Sequence, residues 1–351
     1  MTKIKKKDRG LFEYQERMET LKNQTIPLER LNRFINWENF RHMLNEALVP
    51  RDQKKPGGAA HYDYVFMFKI LIIQRFYNLS DEQTEFRIND SLSLQRFLGI
   101  TLSDKVPDHN KIWDYRERLK KTKVLEKIFR QFDEQLEKEG IVGKAGVIID
   151  ATFVETPKQR NSREENAKIK AGETPEEWKD NPHKLCHKDT EARWTTKNRQ
   201  RYYGYKNHTK VDAQSKIVRE FCVTSANVHD SKAVEKLINK TDKGKTIYAD
   251  SAYVGPEIVK VLNAQEMKNQ IHEKGYRGRP LTEEQKKENR KKSKTRCRIE
   301  HVYGYMENSM NGCGIRSIGR ERAACQIGLM NIVYNLCRYA TVRHMAMLRT
   351  K

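Results

Sequence analysis

Residues 147–154 read Val-Ile-Ile-Asp-Ala-Thr-Phe-Val, a run of apolar and β-branched residues with one acid, Asp150, in its middle. A run of this length and composition predicts a strand that is buried on both faces. An isolated carboxylate on such a strand costs several kcal/mol. A metal ion is therefore expected beside Asp150. This stretch alone equally fits a surface acid at a strand edge or an acid paired with a basic side chain.

A second copy of the pattern, Thr246-Ile247-Tyr248-Ala249-Asp250, occurs later, and Glu300 follows in a helical context. A right-handed crossover would place the two strands side by side, so that Asp150 and Asp250 converge at one end of the sheet and Glu300 closes the cluster. Three carboxylates without His or Cys suit Mg²⁺ or Mn²⁺. Two such ions, about 3.5–4 Å apart, promote phosphodiester cleavage. The pattern predicts a two-metal site.

Other acids near the ends of predicted strands have simpler interpretations. Asp212 belongs to a turn, and Asp230 is expected to cap the following helix. Glu155 falls where the first strand should end. Glu307 lies two helical turns beyond Glu300 on nearly the same face, and spacing alone does not exclude it as the third acid.

The composition favours a nucleic-acid partner. The 351 residues carry a formal net charge of +22, as expected of a protein that meets a polyanion, double-stranded DNA above all. No apolar run is long enough to span a membrane, and the N-terminus lacks the apolar core of a signal peptide. The six cysteines are scattered without a C-x-x-C pair, which is typical of reduced thiols in a cytoplasmic protein.

The chain is predicted to contain an all-helical N-terminal domain over residues 1–140 and a mixed α/β domain over 141–340. A polar insertion at about 155–201 is expected to form a loop or a mobile lid. Residues 341–351 are expected to form a basic tail.

The helical domain begins with two short helices and a basic loop at 51–58, followed by a nearly all-apolar helix at 62–77. Ser80 to Gln83 fits a capping box. The short helices that follow resemble a helix-turn-helix bundle, with Lys111 and Arg116 as candidate DNA contacts. A purely structural bundle is the alternative.

In the α/β domain, periodicity predicts a β-hairpin and alternating helices and strands after the first strand. The first strand should be antiparallel to its hairpin partner and parallel to the strand after the first helix. The predicted strands are 201–212, 217–224, 246–250 and 269–272, and the predicted helices are 231–239, 256–266, 282–311 and 327–339.

Basic residues surround the predicted catalytic acids. Arg296 lies one helical turn before Glu300, so the two side chains share a face. Arg296 would hold a phosphate beside the metals, or simply form a salt bridge with Glu300. The other candidate DNA contacts are Lys206, Arg277, Arg279 and Arg298.

Together these segments resemble a bacterial DDE transposase of the insertion sequence 5 family. The resemblance covers residues from about 10 to 340 and rests on motifs in a fixed order. They are Asn78-Leu79-Ser80-Asp81-Glu82-Gln83, Val106-Pro107-Asp108, Ile149-Asp150-Ala151-Thr152, Tyr203-Gly204-Tyr205-Lys206, Val228-His229-Asp230-Ser231, Ala249-Asp250-Ser251-Ala252-Tyr253, Arg296-x3-Glu300-His301-Val302-Tyr303-Gly304 and Tyr334-Asn335-Leu336.

The resemblance implies a ribonuclease-H-like catalytic domain in which Asp150, Asp250 and Glu300 form the metal-binding triad. It implies a helical N-terminal domain that helps to recognise terminal inverted repeats. It also implies cleavage that frees a 3′-OH, attack of that 3′-OH on target DNA, and a homodimer on paired ends in the bacterial nucleoid.

The chain departs from the related pattern Tyr-x2-Arg-x3-Glu-x6-Lys at two positions. Ser293 stands at the Tyr position and Glu307 at the Lys position. The missing Lys leaves the contact to the transferred-strand phosphate unassigned, and Arg316 or Arg320 is expected to replace it.

Two other functions fit the same residues. A ribonuclease-H-like nuclease would use the same acids without strand transfer. A non-catalytic DNA-binding descendant of a transposase would keep the fold and the basic surface.

Overall fold

A computed structural model describes residues 10, 12–22, 26–49, 61–143 and 145–349. The basic loop predicted at 51–58 lies outside the described residues. The part before the first strand is helical, as predicted. Its helices are α1 (Glu13–Lys22), α2 (Pro27–Phe34), α3 (Arg41–Leu48), α4 (Tyr64–Phe76), α5 (Asp81–Asp90), α6 (Leu92–Leu98), α7 (His109–Thr122) and α8 (Val124–Lys138).

Local sequence signals determine where these helices begin. The Asp63 side chain accepts a hydrogen bond from the Phe66 N–H (2.9 Å) and caps α4, whose apolar residues are buried nearly all round. The predicted capping box precedes α5, where the side chains of Ser80 and Gln83 each accept a hydrogen bond from the other residue's backbone N–H. Both signals satisfy N–H groups that have no partner within the helix.

Six strands form one mixed sheet in the described part of the chain. They are β1 (Gly146–Glu155), β2 (Arg193–Lys197), β3 (Gln200–Asp212), β4 (Val218–Ser225), β5 (Thr246–Ala249) and β6 (Lys268–Ile271). The main order is β4–β3–β1–β5–β6, and β2 pairs with the first residues of β3. As predicted, β1 is antiparallel to β3 and parallel to β5. This is the order of a ribonuclease-H-like sheet, and it confirms the predicted fold class.

Helices cover both faces of the sheet. They are α9 (Arg163–Ala171), α10 (Glu176–Lys179), α11 (Pro182–Cys186), α12 (Val234–Leu237), α13 (Pro256–Ala264), α14 (Glu283–Arg296), α15 (Arg298–Asn308) and α16 (Arg320–Arg349). Side chains alternate along β1. Ile148 packs with α15, α16 and the N-terminal helices, whereas Val147 and Ile149 pack with α12 and α13.

The larger core is continuous between the two predicted domains. It joins residues of α2, α4, α7 and α8 to residues of β1, β3 and α16. The N-terminal helices therefore pack directly against the layer that covers the sheet.

Three predicted helices differ from their predicted forms. The single helix predicted at 282–311 is two helices, α14 and α15, separated at Cys297. The helix predicted at 231–239 is a 3-10 turn over 230–233 followed by the single-turn α12. The final helix is longer than the predicted 327–339, so residues 341–349, which were predicted to form a tail, continue α16.

The segment predicted as a polar loop or lid is folded, and it contains α9, α10, α11 and β2. Trp178 is fully buried, and its indole N–H donates to Glu165 Oε1 (2.7 Å). Arg193 donates to the backbone oxygen of Ile169 (2.9 Å). A few buried side chains thus organise a segment whose average composition is polar.

Two asparagines attach α16 to the sheet. The carboxamides of Asn331 and Asn207 exchange hydrogen bonds of 3.2 and 2.9 Å. Asn335 accepts from the Val218 N–H (2.9 Å) and donates to the Val218 carbonyl oxygen (2.8 Å). Both asparagines are buried, so these bonds fix the register of α16 on the sheet.

None of the helices that the structure describes has the length and hydropathy of a membrane span.

We expect Asn335→Leu to lower the free energy of unfolding by about 2–4 kcal/mol, because it leaves a buried N–H and a buried C=O without partners. Urea unfolding measures this loss. Asn89→Leu is the control, since Asn89 is exposed on α5 and its side chain donates to the Glu85 carbonyl oxygen of the same helix. The effect of this substitution should stay within about 0.5 kcal/mol. Equal unfolding midpoints for the two variants would contradict the role given to Asn335.

Candidate active site

Strand register brings Asp150 and Asp250 to the same edge of the sheet. The parallel pairing of β1 and β5 runs from Gly146 opposite Thr246 to Ile148 opposite Tyr248. Continued by two residues, the same register reaches Asp150 and Asp250, and both side chains point to the face on which α15 packs. Sequence spacing predicted this convergence correctly.

The backbone holds each of these two carboxylates locally. Asp250 follows the last residue of β5 and caps a 3-10 turn by accepting from the Ala252 N–H (2.8 Å). Asp150 Oδ1 accepts from the Ala151 N–H (2.8 Å). These backbone contacts use one oxygen of each carboxylate. The other oxygen of Asp150, Oδ2, faces Arg296.

Glu300 reaches the same site through Arg296. The guanidinium of Arg296 lies 3.0 Å from Glu300 Oε1 and 3.4 Å from Asp150 Oδ2. One cation therefore bridges the acid on β1 and the acid on α15. Arg296 was predicted either to hold a phosphate or to form a salt bridge with Glu300. The salt bridge is present, and Arg296 forms a second one with Asp150.

A buried contact sets the position of α15. Tyr303 Oη and Thr209 Oγ1 are 2.8 Å apart, and Thr209 is the β3 residue opposite Asp150. Ile299 and Val302 are fully buried beside Tyr303. Because these residues fix the helix, Glu300 stands on the first turn of α15 above the sheet edge that carries Asp150 and Asp250. The sequence indicated a helix here, but it did not predict the contact between Tyr303 and Thr209.

Burial dominates the electrostatics of the site. It raises the pKa of Asp150 to about 6, and the negative charge of Asp250 adds to this effect. The Ala151 N–H and the positive charge of Arg296 act in the opposite direction. Burial and the neighbouring carboxylate of Asp250 both disfavour the ionised form of Asp150. A cation bound between the two carboxylates would stabilise that form.

The acids fit a hard metal ion in their chemistry but do not yet form a closed site. Among the described residues, no group of three His, Cys, Asp or Glu side chains is close enough to hold an ion. Glu300 is 61 % exposed, whereas Asp150 is 15 % exposed. The backbone holds the carboxylates of Asp150 and Asp250, whereas Glu300 is the more exposed acid and is held by Arg296.

The other acids have structural roles. Asp212 accepts from the Ser215 N–H and hydroxyl (2.6 and 2.7 Å), as a turn residue should. Asp230 was expected to cap the helix, but His229 takes the capping position. Glu155 is exposed at the end of β1. Glu307 accepts from the Cys313 N–H (3.2 Å) and stabilises the turn after α15.

Two predicted DNA contacts are used inside the protein instead. Lys206 is buried and donates to Asp230 and to the Val228 carbonyl oxygen, both at 2.8 Å. Arg116 donates two hydrogen bonds to Asp81 (2.5 and 2.8 Å). Since both cations are already neutralised, the structure does not support them as DNA contacts. Sequence spacing missed these pairs because their partners are distant in the chain.

The remaining predicted contacts are exposed. They are Lys111, Arg277, Arg279 and Arg298. Arg298 also donates to the Ala213 carbonyl oxygen (2.8 Å). The two residues expected to replace the missing Lys are both engaged. Arg316 donates to the Asn78 backbone oxygen (3.0 Å), and Arg320 pairs with Glu191 (3.2 Å).

Residues 142–336 match the family described as Transposase DDE domain, and residues 13–118 match the family described as Transposase domain (DUF772). The transposase for insertion sequence element IS1106 of Neisseria meningitidis serogroup B is 32% identical over 232 residues, which cover 64% of this chain and 76% of that protein. A solved structure, the piggyBac transposase synaptic complex with hairpin DNA, is similar at a TM-score of 0.49 and 12% identity, with 93% of this chain and 77% of that chain covered.

The family matches and the curated relative define the class of protein, a transposase, and hence an enzyme. This chain belongs to the DDE transposase family, and the resemblance to the insertion sequence 5 type found in its sequence is confirmed.

We expect Asp150→Asn to stabilise the metal-free protein at neutral pH. The pKa of Asp150 is raised from 3.8 to about 6, so the folded protein binds this proton more tightly than the unfolded chain does. Stability should therefore fall as pH rises from about 4 to 6. Asparagine removes this cost, which should raise the free energy of unfolding by about 3 kcal/mol at neutral pH in EDTA.

Denaturation across this pH range tests the expectation. The gap between variant and wild type should close below about pH 4, where both states hold the proton. Asp114→Asn, at an exposed position of α7, is the control. A gap that is constant with pH would show that Asp150 ionisation is not its cause.

Proposed function

We propose that this protein cuts the ends of an insertion sequence and joins the freed 3′-OH to target DNA, with two Mg²⁺ or Mn²⁺ ions held by Asp150, Asp250 and Glu300. The observation that carries the proposal is the convergence of Asp150 and Asp250 at one sheet edge, with Glu300 linked to Asp150 through Arg296. The substrate is double-stranded DNA, namely the terminal inverted repeats and the target.

In this proposal Asp150 and Asp250 would hold the ions, because their backbones are fixed by β1 and by the turn after β5. Glu300 would complete the ligand set from its exposed position on the first turn of α15. The bound ions would lower the pKa of the attacking water and balance charge on the leaving oxygen.

Arg296 exchanges partners in this proposal. Without substrate, its guanidinium neutralises Asp150 and Glu300. With metal ions bound to these acids, the planar guanidinium would be available to bind a DNA phosphate through two parallel hydrogen bonds. Arg296 thus keeps the acids compatible with folding and later positions the phosphate beside them.

The net charge of +22 supports a DNA partner, since neutralised phosphates release counterions and strengthen binding. The helical region is proposed to help recognise the inverted repeats, and the active assembly is proposed to be a homodimer on paired ends in the bacterial nucleoid. The relative from Neisseria meningitidis is a transposase for an insertion sequence element, which supports the same substrate class.

A strand-cleavage assay tests the proposal with a labelled DNA end taken from the sequence that flanks the gene. Wild-type protein should nick the element boundary in Mg²⁺ and not in EDTA. Asp150→Asn, Asp250→Asn and Glu300→Gln should reduce cleavage to background and retain DNA binding in EDTA, because each removes a metal ligand. Binding without cleavage by the wild type in every metal condition would favour a non-catalytic DNA-binding protein.

The products separate the two enzymatic alternatives. A transposase should join the labelled 3′ end covalently to an added target duplex. A nuclease should release the same cut end and leave the target unjoined.

Glu307→Gln tests which glutamate is the third acid. Glutamine retains an oxygen that accepts from the Cys313 N–H, so the turn after α15 should be preserved, and cleavage should equal that of the wild type. Glu300→Gln makes the same chemical change two helical turns earlier and serves as the matched variant. Loss of cleavage in Glu307→Gln, together with retained cleavage in Glu300→Gln, would reverse the assignment.

A further inference from the structure

Helix α14 is held to the protein without an apolar face. Its sequence, EEQKKENRKKSKTR, contains seven cations, and none of its residues, all of which the structure describes, is buried. A surface helix ordinarily packs through a stripe of apolar side chains. Apolar packing therefore does not explain how α14 is held or why its seven cations are arranged as they are.

Polar contacts hold one side of α14 against the end of β6 and against the catalytic edge, defined as the sheet edge that carries Asp150 and Asp250. The carboxamide of Asn289 exchanges hydrogen bonds of 3.0 and 2.9 Å with the backbone of Glu273. One turn later, Lys292 donates to the Ile271 carbonyl oxygen (3.0 Å). Arg296 then reaches the catalytic acids. These contacts fix which side of the helix faces the protein.

The opposite side of α14 carries a basic stripe, defined as Lys287, Arg290, Lys291, Lys294 and, at the start of α15, Arg298. All five are exposed. The four cations of α14 recur at i, i+3, i+4 and i+7, the spacing that places side chains on one helical face. Arg298 follows four residues after Lys294, at the start of the next helix. Lys291 pairs with Glu288 (2.5 Å). The cations thus take the periodicity that apolar residues have in an ordinary amphipathic helix, but on the outward face.

We propose that the basic stripe binds consecutive phosphates of one DNA strand and guides that strand to the catalytic edge. The proposal rests on the proposed function and adds a binding surface to it. The stripe is about 16 Å long at the helical rise per residue. One DNA strand carries a charge per 3.4 Å of duplex axis, or about five phosphates over this length. Five cations match about five phosphates.

The chemistry of the stripe indicates backbone binding without sequence readout. Lysine and arginine neutralise phosphates in any sequence, although they can also bind guanine in the major groove. A row of cations along one helix, at about one charge per phosphate, fits the regularly spaced backbone of one strand better than scattered guanines. Its last member, Arg298, lies two residues from both Arg296 and Glu300. A strand on the stripe would therefore lead to the junction of α14 and α15, whose other side carries Arg296 and Glu300. Any DNA sequence should bind the stripe equally.

The test compares two triple variants with the same change in net charge. Lys287→Gln, Arg290→Gln and Lys294→Gln remove three stripe cations. Lys240→Gln, Lys260→Gln and Lys268→Gln remove three exposed cations elsewhere on the catalytic domain, with Lys240 and Lys268 near the amino ends of β5 and β6. Binding to labelled duplexes of two unrelated sequences is measured in EDTA by fluorescence anisotropy, over a salt range of about 50–200 mM.

The stripe variant should lower the slope of log K against log salt by about 2–3, since each phosphate contact contributes about 0.9. Its affinity should fall by roughly tenfold to several hundredfold at 0.1 M salt, equally for both sequences. The control variant should keep the wild-type slope. Exchanging Lys for Arg and Arg for Lys at the same three stripe positions should also keep it, because the charges remain.

Three results would overturn the inference. They are an unchanged slope in the stripe variant, an equal loss in the control variant, and a loss confined to one DNA sequence. If the wild type cleaves DNA and the stripe variant binds normally, only the stripe assignment fails. If the wild type neither binds nor cuts DNA, the proposed function fails with it.

Discussion

The burial of one carboxylate on a strand that is paired on both sides constrains the whole catalytic domain. Asp150 occupies a position where β3 and β5 flank β1, and burial raises its pKa to about 6. The protein balances this cost with the positive charge of Arg296, which requires the end of α14 and the start of α15 to meet over the sheet. The contact of Tyr303 with Thr209 holds that junction in place. The buried charge of Asp150 thus destabilises this part of the sheet, and the helices packed over it supply the positive charge that offsets the effect.

Cations in this protein serve two different purposes, according to their exposure. Inside, Lys206 pairs with Asp230, and Lys210 pairs with Asp242 at 2.6 Å, so the buried ladder along β3 is internally neutral. Outside, the basic stripe faces solvent. Because these buried pairs are neutral, they contribute nothing to the net charge of +22. The excess positive charge lies on the surface, where it attracts anions.

The sequence predicted features that depend on local pattern, and it failed where contacts are distant. The apolar runs around Asp150 and Asp250 were sufficient to infer the strands, their parallel pairing and the convergence of the acids. The same method assigned Lys206 to a DNA contact, because nothing in a strand pattern reveals a carboxylate that returns 24 residues later. The break between α14 and α15 at Cys297 could not be predicted, because no glycine or proline occurs there. Trp178 could not be identified as a core residue in a segment whose composition is polar.

The length of α16 has a consequence for how the chain folds during its synthesis. At about 45 Å, this helix covers residues of α2, α4, α8 and β4 together, and it is made after all of them. Until the ribosome has released it, the N-terminal helices and one face of the sheet both expose apolar surface, and neither can complete its core. Folding from the N-terminus, the usual order for large proteins, must therefore wait at an incomplete stage, and a nascent chain that stops before α16 is a substrate for chaperones or proteases rather than a partial enzyme.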